Sequence, residues 1–86
     1  MKLLKFYATW CAPCKGLTMT LNSISDQITD AVTVVNIDID ADMDSARKYN
    51  VRGVPTMVIE DDDGKEVRRA TGTMDAPALL KFIKGE

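Results

Sequence analysis

Apolar residues form a short run near the start of the chain and then recur at helical spacing. Leu3 to Ala8 is a compact, mainly apolar run, which predicts a buried β-strand. The apolar residues that follow lie three or four positions apart, as on one face of a helix: Leu17, Leu21, Ile24 and Ile28. Pro13 would fall in the first turn, where a missing N–H group is harmless, so a helix is predicted from Cys11 to about Asp30.

The middle of the chain predicts a second strand and a short second helix. Val32 to Ile39 is rich in β-branched residues, which favour strands. Asp42 or Asp44 is a suitable N-cap for a helix through Tyr49, because a carboxylate accepts hydrogen bonds from free helical N–H groups. Asn50 then predicts a left-handed residue that stops this helix.

The last third of the chain predicts a hairpin followed by a helix. Thr56 to Glu60 and Lys65 to Thr71 are predicted strands, and the Asp-Gly pair between them favours a tight turn. Gly72 ends the second of these strands. Asp75 caps a final helix that has Pro77 in its first turn. The predicted order of elements is therefore βαβαββα.

This order predicts an α/β fold built on one four-stranded mixed sheet. A helical crossover makes the first two strands parallel, whereas the hairpin makes the last two antiparallel. Because the first strand is apolar on both faces, helices are required on both faces of the sheet. No linker, repeat or low-complexity segment divides the chain, so residues 1–86 are predicted to form a single domain.

Composition and charge exclude several classes of protein. Lysine and arginine total 11 against 13 acidic residues, a net charge of −2, without the basic cluster that a nucleic-acid-binding surface needs. No apolar stretch is long enough to span a bilayer. The apolar residues after Lys2 are interrupted by Lys5, which argues against a secretory signal. We therefore expect a cytoplasmic protein, and we expect it to be a monomer.

The candidate chemistry lies in the only two cysteines of the chain, Cys11 and Cys14. They form a C-x-x-C motif where the first strand gives way to the first helix, a pattern typical of thiol–disulfide redox sites. In a cytoplasmic protein a lone cysteine pair is more often catalytic or metal-binding than structural. A closed zinc site needs about four ligands, and a chain with two cysteines and no histidine supplies half of one. Redox chemistry is therefore the prediction, and no metal is expected.

Four segments resemble the thioredoxin family in order and spacing, across essentially the whole chain. They are Trp10 to Lys15 (WCAPCK), Asn36 to Asp38 (NID), Arg52 to Thr56 (RGVPT) and Gly72. The resemblance implies a minimal thioredoxin fold that lacks the extra N-terminal strand and helix of full-length members. It also implies a protein disulfide reductase without a bound cofactor. In such an enzyme Cys11 is the exposed thiolate that attacks a substrate disulfide, and Cys14 resolves the mixed disulfide.

The same resemblance implies a shallow apolar groove for an extended substrate segment. The residues of this predicted groove are Trp10, Ala12, Pro13, Val54, Pro55, Gly72, Thr73 and Met74. The Val54–Pro55 bond is implied to be cis, which leaves backbone groups free to pair with the substrate. Trp10 is expected to be a partly exposed ring that shields Cys11. Met74 is either a wall of the groove or a plain core residue.

The chain departs from the family at two predicted strand positions. The resemblance matches Lys5 to an aspartate that most thioredoxins bury beneath the second cysteine, and Val34 to the lysine partner of that aspartate. A buried, unpaired ammonium is costly. Lys5 therefore either extends to the margin of the sheet and has no catalytic role, or lies near Cys14 and favours its thiolate. Lys5 and Lys15 are the predicted modulating residues.

Partners and rival functions also follow from the resemblance. Electrons are expected from a separate thioredoxin- or glutaredoxin-type reductase, and the substrates are disulfide-containing proteins, with ribonucleotide reductase as a candidate. One alternative is a glutaredoxin-like enzyme that uses glutathione, for which Lys15 and Arg52 are the cationic candidates. Another alternative is a non-catalytic subunit that uses the groove for protein docking.

Overall fold

The computed structural model describes residues 1–28 and 30–85. The predicted domain, residues 1–86, also includes Thr29 and Glu86, which lie outside the described residues. The strands are β1 (Lys2–Tyr7), β2 (Thr33–Asp38), β3 (Thr56–Glu60) and β4 (Glu66–Thr71). The helices are α1 (Ala12–Ser23), α2 (Ser25–Ile28), α3 (Met43–Lys48) and α4 (Ala76–Lys84). Within the described ranges no helix is long and apolar enough to cross a membrane.

The strands form one mixed sheet in the order β2-β1-β3-β4. β1 is parallel to β2 and antiparallel to β3, and β3 is antiparallel to β4. β1 therefore has a neighbour on each side, and its residues from Leu3 to Phe6 are buried, as its apolar sequence predicts. This topology confirms the predicted fold class.

Helices cover both faces of the sheet. On one face, α1, α2 and α4 pack over a cluster that contains Leu3 of β1 and Leu17 of α1. On the other face, Leu4 and Phe6 pack against side chains of β2 and of the segments on either side of α3, among them Tyr49. Successive residues of β1 thus point to opposite layers, because side chains alternate across a strand.

The side chain of Tyr49 fastens the end of α3 to the sheet. Its ring lies 5.6 Å from that of Phe6, measured between centroids. Its hydroxyl donates a hydrogen bond to the buried carboxylate of Glu60 on β3. That bond, with burial and the negative charge of Glu60, raises the pKa of Tyr49 to about 12.

The first helix is shorter than predicted. α1 ends at Ser23 rather than near Asp30, because Ile24 leaves helical geometry (φ −114°, ψ 10°) and its N–H group bonds back into the preceding turn. α2 then adds one short helical segment. Ile24 and Ile28 both remain in the buried cluster, so the break preserves the apolar face that the sequence predicts.

The other predicted helix ends agree well with the structure. Of the two candidate caps for α3 it is Asp42 that accepts the N–H bond of Ser45 (3.1 Å), and the hydrogen bonds from Ser45 lower the pKa of Asp42. Asn50 has the predicted left-handed conformation, with φ 53°. Asp75 caps α4 by accepting an N–H bond of 3.0 Å from its first turn.

The functional region lies at the edge of the sheet where β1 and β2 both end. The two strands are parallel, so their carboxyl ends meet there, and the N–H group of Ile39 bonds to the carbonyl of Tyr7 (3.0 Å). Clefts beyond the carboxyl ends of parallel strands are common positions for binding sites. The loop from β1 into α1 therefore runs beside the loop that leaves β2.

Candidate active site

Cys11 and Cys14 form a disulfide, with their Cα atoms 5.3 Å apart. Cys11 is 4% exposed and Cys14 is 3% exposed. The expectation of an exposed Cys11 is therefore wrong for this oxidised form, in which Ala8, Tyr7 and Val54 pack around the pair. Any difference between the two sulfurs must arise from their bonding rather than from their exposure.

Cys11 is the N-cap of α1, and Cys14 lies inside the first turn. The backbone N–H group of Cys14 donates to the sulfur of Cys11 over 3.2 Å. The first N–H groups of a helix have no partners within the helix, and together they carry a partial positive charge. This environment stabilises a thiolate on Cys11 once the disulfide is reduced.

The Val54–Pro55 segment lies directly beside Cys11. The bond between Val54 and Pro55 is cis, as the resemblance implies. The carbonyl oxygen of Val54 is 3.7 Å from the sulfur of Cys11. The N–H group of Gly72, which has a left-handed φ of 94°, donates to the carbonyl of Pro55 over 2.8 Å. These contacts link Cys11 to Val54, and Pro55 to Gly72.

The residues of the predicted groove differ in exposure. Four of them are exposed: Trp10, Ala12, Pro13 and Thr73. Three are partly buried: Val54, Gly72 and Met74. Pro55 is buried. Met74 packs against the main hydrophobic cluster, so it belongs to the edge of the core.

Trp10 has a partner that the sequence analysis missed. Its ring is 69% exposed, and its Nε1–H group donates to a carboxylate oxygen of Asp40 over 2.9 Å. Asp40 follows β2, which is parallel to β1 and ends at the same edge. That shared edge is the signal that could have placed Asp40, together with the neighbouring Ile39, at the site. Asp40 therefore fixes the orientation of the Trp10 ring.

Lys5 lies behind the cysteine pair, on the side of the sheet that α1 covers. The residue is 5% exposed, which contradicts one of the two alternatives for it, the one in which its side chain extends to the sheet margin. Its ammonium donates to the hydroxyl of Thr18 and lies 5.9 Å from the centre of the Tyr7 ring. Burial lowers the pKa of Lys5. Among residues 1–28 and 30–85, the ion pairs are Met1–Asp62 and Glu66–Arg69, and neither involves Lys5.

The strand register gives the neighbours of Lys5 in the sheet. Asn36 of β2 lies beside Lys5, and Met57 of β3 lies on its other side. Val34, which the resemblance matched to a lysine partner, pairs with Leu3 and lines a cavity together with Lys5 and Asn36. The flanking residues of both neighbouring strands are therefore uncharged.

Lys15, the second predicted modulating residue, is exposed on α1. It lines a cavity of about 370 Å³ together with Cys14, Thr18 and Tyr7. The cavity also includes Ala8 and lies on the side of Cys14 next to Thr18. Lys15 is thus a neighbour of Cys14 at the surface, whereas Lys5 approaches from the interior.

The site offers the chemistry of a dithiol that can be oxidised reversibly to a disulfide. Three or more His, Cys, Asp or Glu side chains placed to hold a metal ion are not found in the part of the chain that the structure describes. The groups nearest the sulfurs are backbone groups: the N–H of Cys14 and the carbonyl of Val54. The N–H group can stabilise a sulfur anion on Cys11, whereas the carbonyl can only accept a hydrogen bond, from a thiol or from a bound segment.

Comparisons with known proteins agree along nearly the whole chain. The thioredoxin family model matches residues 1–85. Thioredoxin from Chlamydia trachomatis serovar D is 40% identical over 81 residues, which cover 94% of this chain and 78% of the relative. A bifunctional thioredoxin reductase/thioredoxin from Mycobacterium leprae is 35% identical over 81 residues, 94% of this chain and 18% of that protein.

A solved structure shows the same likeness in three dimensions. The oxidised form of mitochondrial thioredoxin 3 from Saccharomyces cerevisiae superposes with a TM-score of 0.86 and 34% sequence identity. The match covers 99% of this chain and 77% of the yeast chain. Both sequence and structure are thus similar to those of thioredoxins from end to end.

Proposed function

This chain belongs to the thioredoxin family, and we propose that it carries electrons from a separate reductase to disulfide-containing proteins of the cytoplasm. It is a thiol–disulfide oxidoreductase that reduces protein disulfides with its C-x-x-C pair, Cys11 and Cys14. The observation that carries the proposed mechanism is the position of Cys11. Its sulfur caps α1 and accepts the N–H bond of Cys14 over 3.2 Å.

In the first step the Cys11 thiolate attacks one sulfur of a substrate disulfide. A bond forms between Cys11 and that sulfur, the substrate S–S bond breaks, and the second substrate sulfur leaves as a thiolate that takes a proton from water. The helix N-terminus favours this step because it stabilises the attacking anion at neutral pH. The product is a mixed disulfide between Cys11 and the substrate.

In the second step Cys14 loses its proton and attacks the sulfur of Cys11. The Cys11–Cys14 bond forms while the bond from Cys11 to the substrate breaks, and the substrate leaves fully reduced. The Cα atoms of the pair are 5.3 Å apart, within the range that a disulfide spans. The two electrons that reduce the substrate therefore come from the protein dithiol.

The predicted groove is the proposed docking surface for the substrate. Val54 lies outside β3, and its carbonyl is 3.7 Å from the Cys11 sulfur, so an extended segment can pair with this backbone while its disulfide meets Cys11. Exposed Trp10 and Thr73 supply contacts on either side. Ribonucleotide reductase is a candidate substrate because the family resemblance implies it.

The proposed electron donor is a thioredoxin-type reductase. The Mycobacterium leprae relative is a bifunctional thioredoxin reductase/thioredoxin, in which a homologous segment is joined to a reductase. A glutathione-coupled cycle is the rival, and its cationic candidates, Lys15 and Arg52, are both exposed. Neither is held against the cysteines by a side-chain hydrogen bond that would form a defined peptide site.

An insulin-reduction assay tests this proposal. Turnover is measured with NADPH and a thioredoxin reductase, and separately with NADPH, glutathione and glutathione reductase. We expect rapid turnover in the first system and slow turnover in the second. The Cys11→Ser/Cys14→Ser variant is the control, and it should be inactive in both.

Two results would contradict the proposal. Faster turnover with glutathione would identify a glutaredoxin-like enzyme. Equal insulin reduction by wild type and the double variant, with partner binding retained, would indicate a docking subunit rather than an electron carrier.

A further inference from the structure

A buried cation lies on β1, the strand that leads into the redox pair. Lys5 is 5% exposed in the middle of β1, and an ammonium removed from water normally requires an anionic partner. Its side-chain donor bond goes to the neutral hydroxyl of Thr18. A charged ammonium in this position lowers the stability of the fold, so a contribution of Lys5 to the redox site would account for its presence.

Two hydrogen bonds in series connect Lys5 with Cys14. The ammonium of Lys5 donates to the hydroxyl of Thr18, and that hydroxyl donates to the carbonyl of Cys14 over 3.0 Å. Thr18 lies one helical turn after Cys14 on α1, so its side chain naturally reaches that carbonyl. The positive end of Lys5 is therefore oriented towards the backbone of the second cysteine.

Two neighbouring cavities lie along the hydrogen-bonded path from Lys5 through Thr18 to Cys14. One is lined by Cys14, Thr18 and Tyr7, and the other by Lys5, Thr18, Tyr7 and Asn36. Thr18 and Tyr7 belong to both cavities, so they separate Lys5 from Cys14. Neither cavity is lined by residues of the predicted groove, and a substrate in that groove leaves this path free.

We propose that Lys5 is a positioning residue that acts through Thr18 to favour the thiolate of Cys14 in the resolving step. This inference rests on the thiol–disulfide mechanism described above and names the group that assists its second half. A positive charge held nearby stabilises the thiolate relative to the thiol. The proton of Cys14 passes to water, and Lys5 neither donates nor accepts it.

The assistance is needed because Cys14 lacks the advantages of Cys11. Cys11 caps the helix and accepts an N–H bond, whereas Cys14 lies inside the first turn and is 3% exposed. Burial alone disfavours the ionised form of a thiol. A fixed charge behind Cys14 offsets that effect without occupying the side from which Cys11 and the substrate approach.

The other charged or titratable groups around this path come from three elements. β1 contributes Tyr7, β2 contributes the partly buried Asp38, and α1 contributes exposed Lys15 in addition to the two cysteines. On β3 the neighbour of Lys5 is the uncharged Met57. Lys5 is therefore the buried cation among these charged and titratable side chains. Asp38 and Lys15 are less buried, and their charges have opposite signs.

The test uses variants that remove each link of the path. Lys5→Met removes the charge and keeps the length of the side chain, and Thr18→Val removes the hydroxyl and keeps the shape. Lys65→Met, an exposed lysine in the turn before β4, is the matched control. The pKa of Cys14 is measured by thiolate absorbance in the Cys11→Ser background, where it is the only cysteine. The reaction itself is followed with the dithiobis(nitrobenzoate) disulfide as substrate.

That substrate separates the two steps of the mechanism. Attack by Cys11 releases a first thionitrobenzoate, and resolution by Cys14 releases the second. A change confined to the second release therefore concerns this inference, whereas loss of the first release would refute the proposed function itself.

We expect Lys5→Met to raise the pKa of Cys14 by about one unit, which lowers its thiolate fraction near neutral pH roughly tenfold. A more basic thiolate is a better nucleophile, which recovers part of the loss, so the second release should slow about three- to fourfold. The difference should shrink as the pH rises, because Cys14 becomes ionised in both proteins and Lys5 loses its own charge. Thr18→Val should act in the same direction, and Lys65→Met should change neither release.

Three results would overturn the inference. The first is an unchanged Cys14 pKa in Lys5→Met. The second is slowing of equal size at every pH, which would indicate a distorted site rather than a lost charge. The third is a Thr18→Val variant with wild-type Cys14 ionisation, which would show that the hydroxyl does not transmit the effect.

Discussion

At the scale of single residues, two equally buried cysteines differ in the hydrogen bonds around them. At the start of α1, the sulfur of Cys11 accepts a hydrogen bond from the N–H group of Cys14. The carbonyl of Cys14 accepts a hydrogen bond from the hydroxyl of Thr18. The first arrangement acts on the sulfur itself and the second acts on the backbone. This asymmetry is the physical basis for assigning attack to Cys11 and resolution to Cys14.

The assignment predicts which variant traps a substrate. Cys14→Ser retains the attacking sulfur but lacks the one that resolves, so mixed disulfides with a protein substrate should accumulate. Cys11→Ser should accumulate none, because the remaining thiol lies inside the helix and away from the groove. Mass spectrometry of the quenched reaction distinguishes the two, with the double serine variant as the blank. Trapping through Cys14 in the Cys11→Ser variant would reverse the assignment.

At the scale of elements, α4 is held at both ends by neighbouring side chains. Asp75 caps its start, and Arg68 of β4 donates to the carbonyl groups of Phe82 (2.6 Å) and Ile83 (3.1 Å) at its end. The last carbonyls of a helix have no partners within the helix. Arg68 therefore joins α4 to the hairpin, and the loop between β4 and α4 contains Met74, which packs against the core.

Removing this link should destabilise the fold measurably. Arg68→Met keeps most of the apolar stem but leaves both carbonyls without their donor, which should lower the free energy of unfolding by about 1–3 kcal/mol. Lys81→Met is the matched control, since it removes a charge from the same helix end. Its expected cost is about 0.3–1 kcal/mol, the range of a helix-dipole interaction. Urea unfolding followed by circular dichroism would compare them, and equal losses would show that charge rather than hydrogen bonding matters.

At the scale of the whole molecule, a chain of 86 residues depends on a small core for its stability. Folded domains are typically stable by about 5–15 kcal/mol. Leu17 is fully buried where α1 meets the sheet, close in sequence to both cysteines. The same contact that stabilises the fold therefore holds the helix that carries the redox pair.

Two substitutions on α1 should show this dependence. Leu17→Ala leaves a cavity in the core and should cost about 2–5 kcal/mol. Met19→Ala, on the same helix but 73% exposed, should stay within about 0.5 kcal/mol of wild type. Thermal unfolding of the oxidised proteins measures both. A small effect at Leu17 would contradict the view that α1 is held in place mainly by this core.

Much of the fold could be predicted because its signals are local. The order of strands and helices follows from apolar spacing, and Asp75 and Asn50 have the positions that their side chains favour. The break at Ile24 was not predictable in this way. Ile24 and Ile28 keep helical spacing in the sequence, so the apolar pattern does not show that α1 ends at Ser23 and that α2 begins at Ser25.

By itself, the sequence determined which residues carry the chemistry: a single cysteine pair at the junction of a buried strand and a helix. Two cysteines separated by only two residues need no distant contact for their sulfurs to react with each other. The tertiary structure alone decided what surrounds them. In the folded chain both cysteines are buried. Trp10 donates a hydrogen bond to Asp40, which follows the neighbouring parallel strand, and Lys5 donates one to Thr18. These contacts link residues far apart in the chain, and they depend on strand register and side-chain direction, which local spacing does not specify.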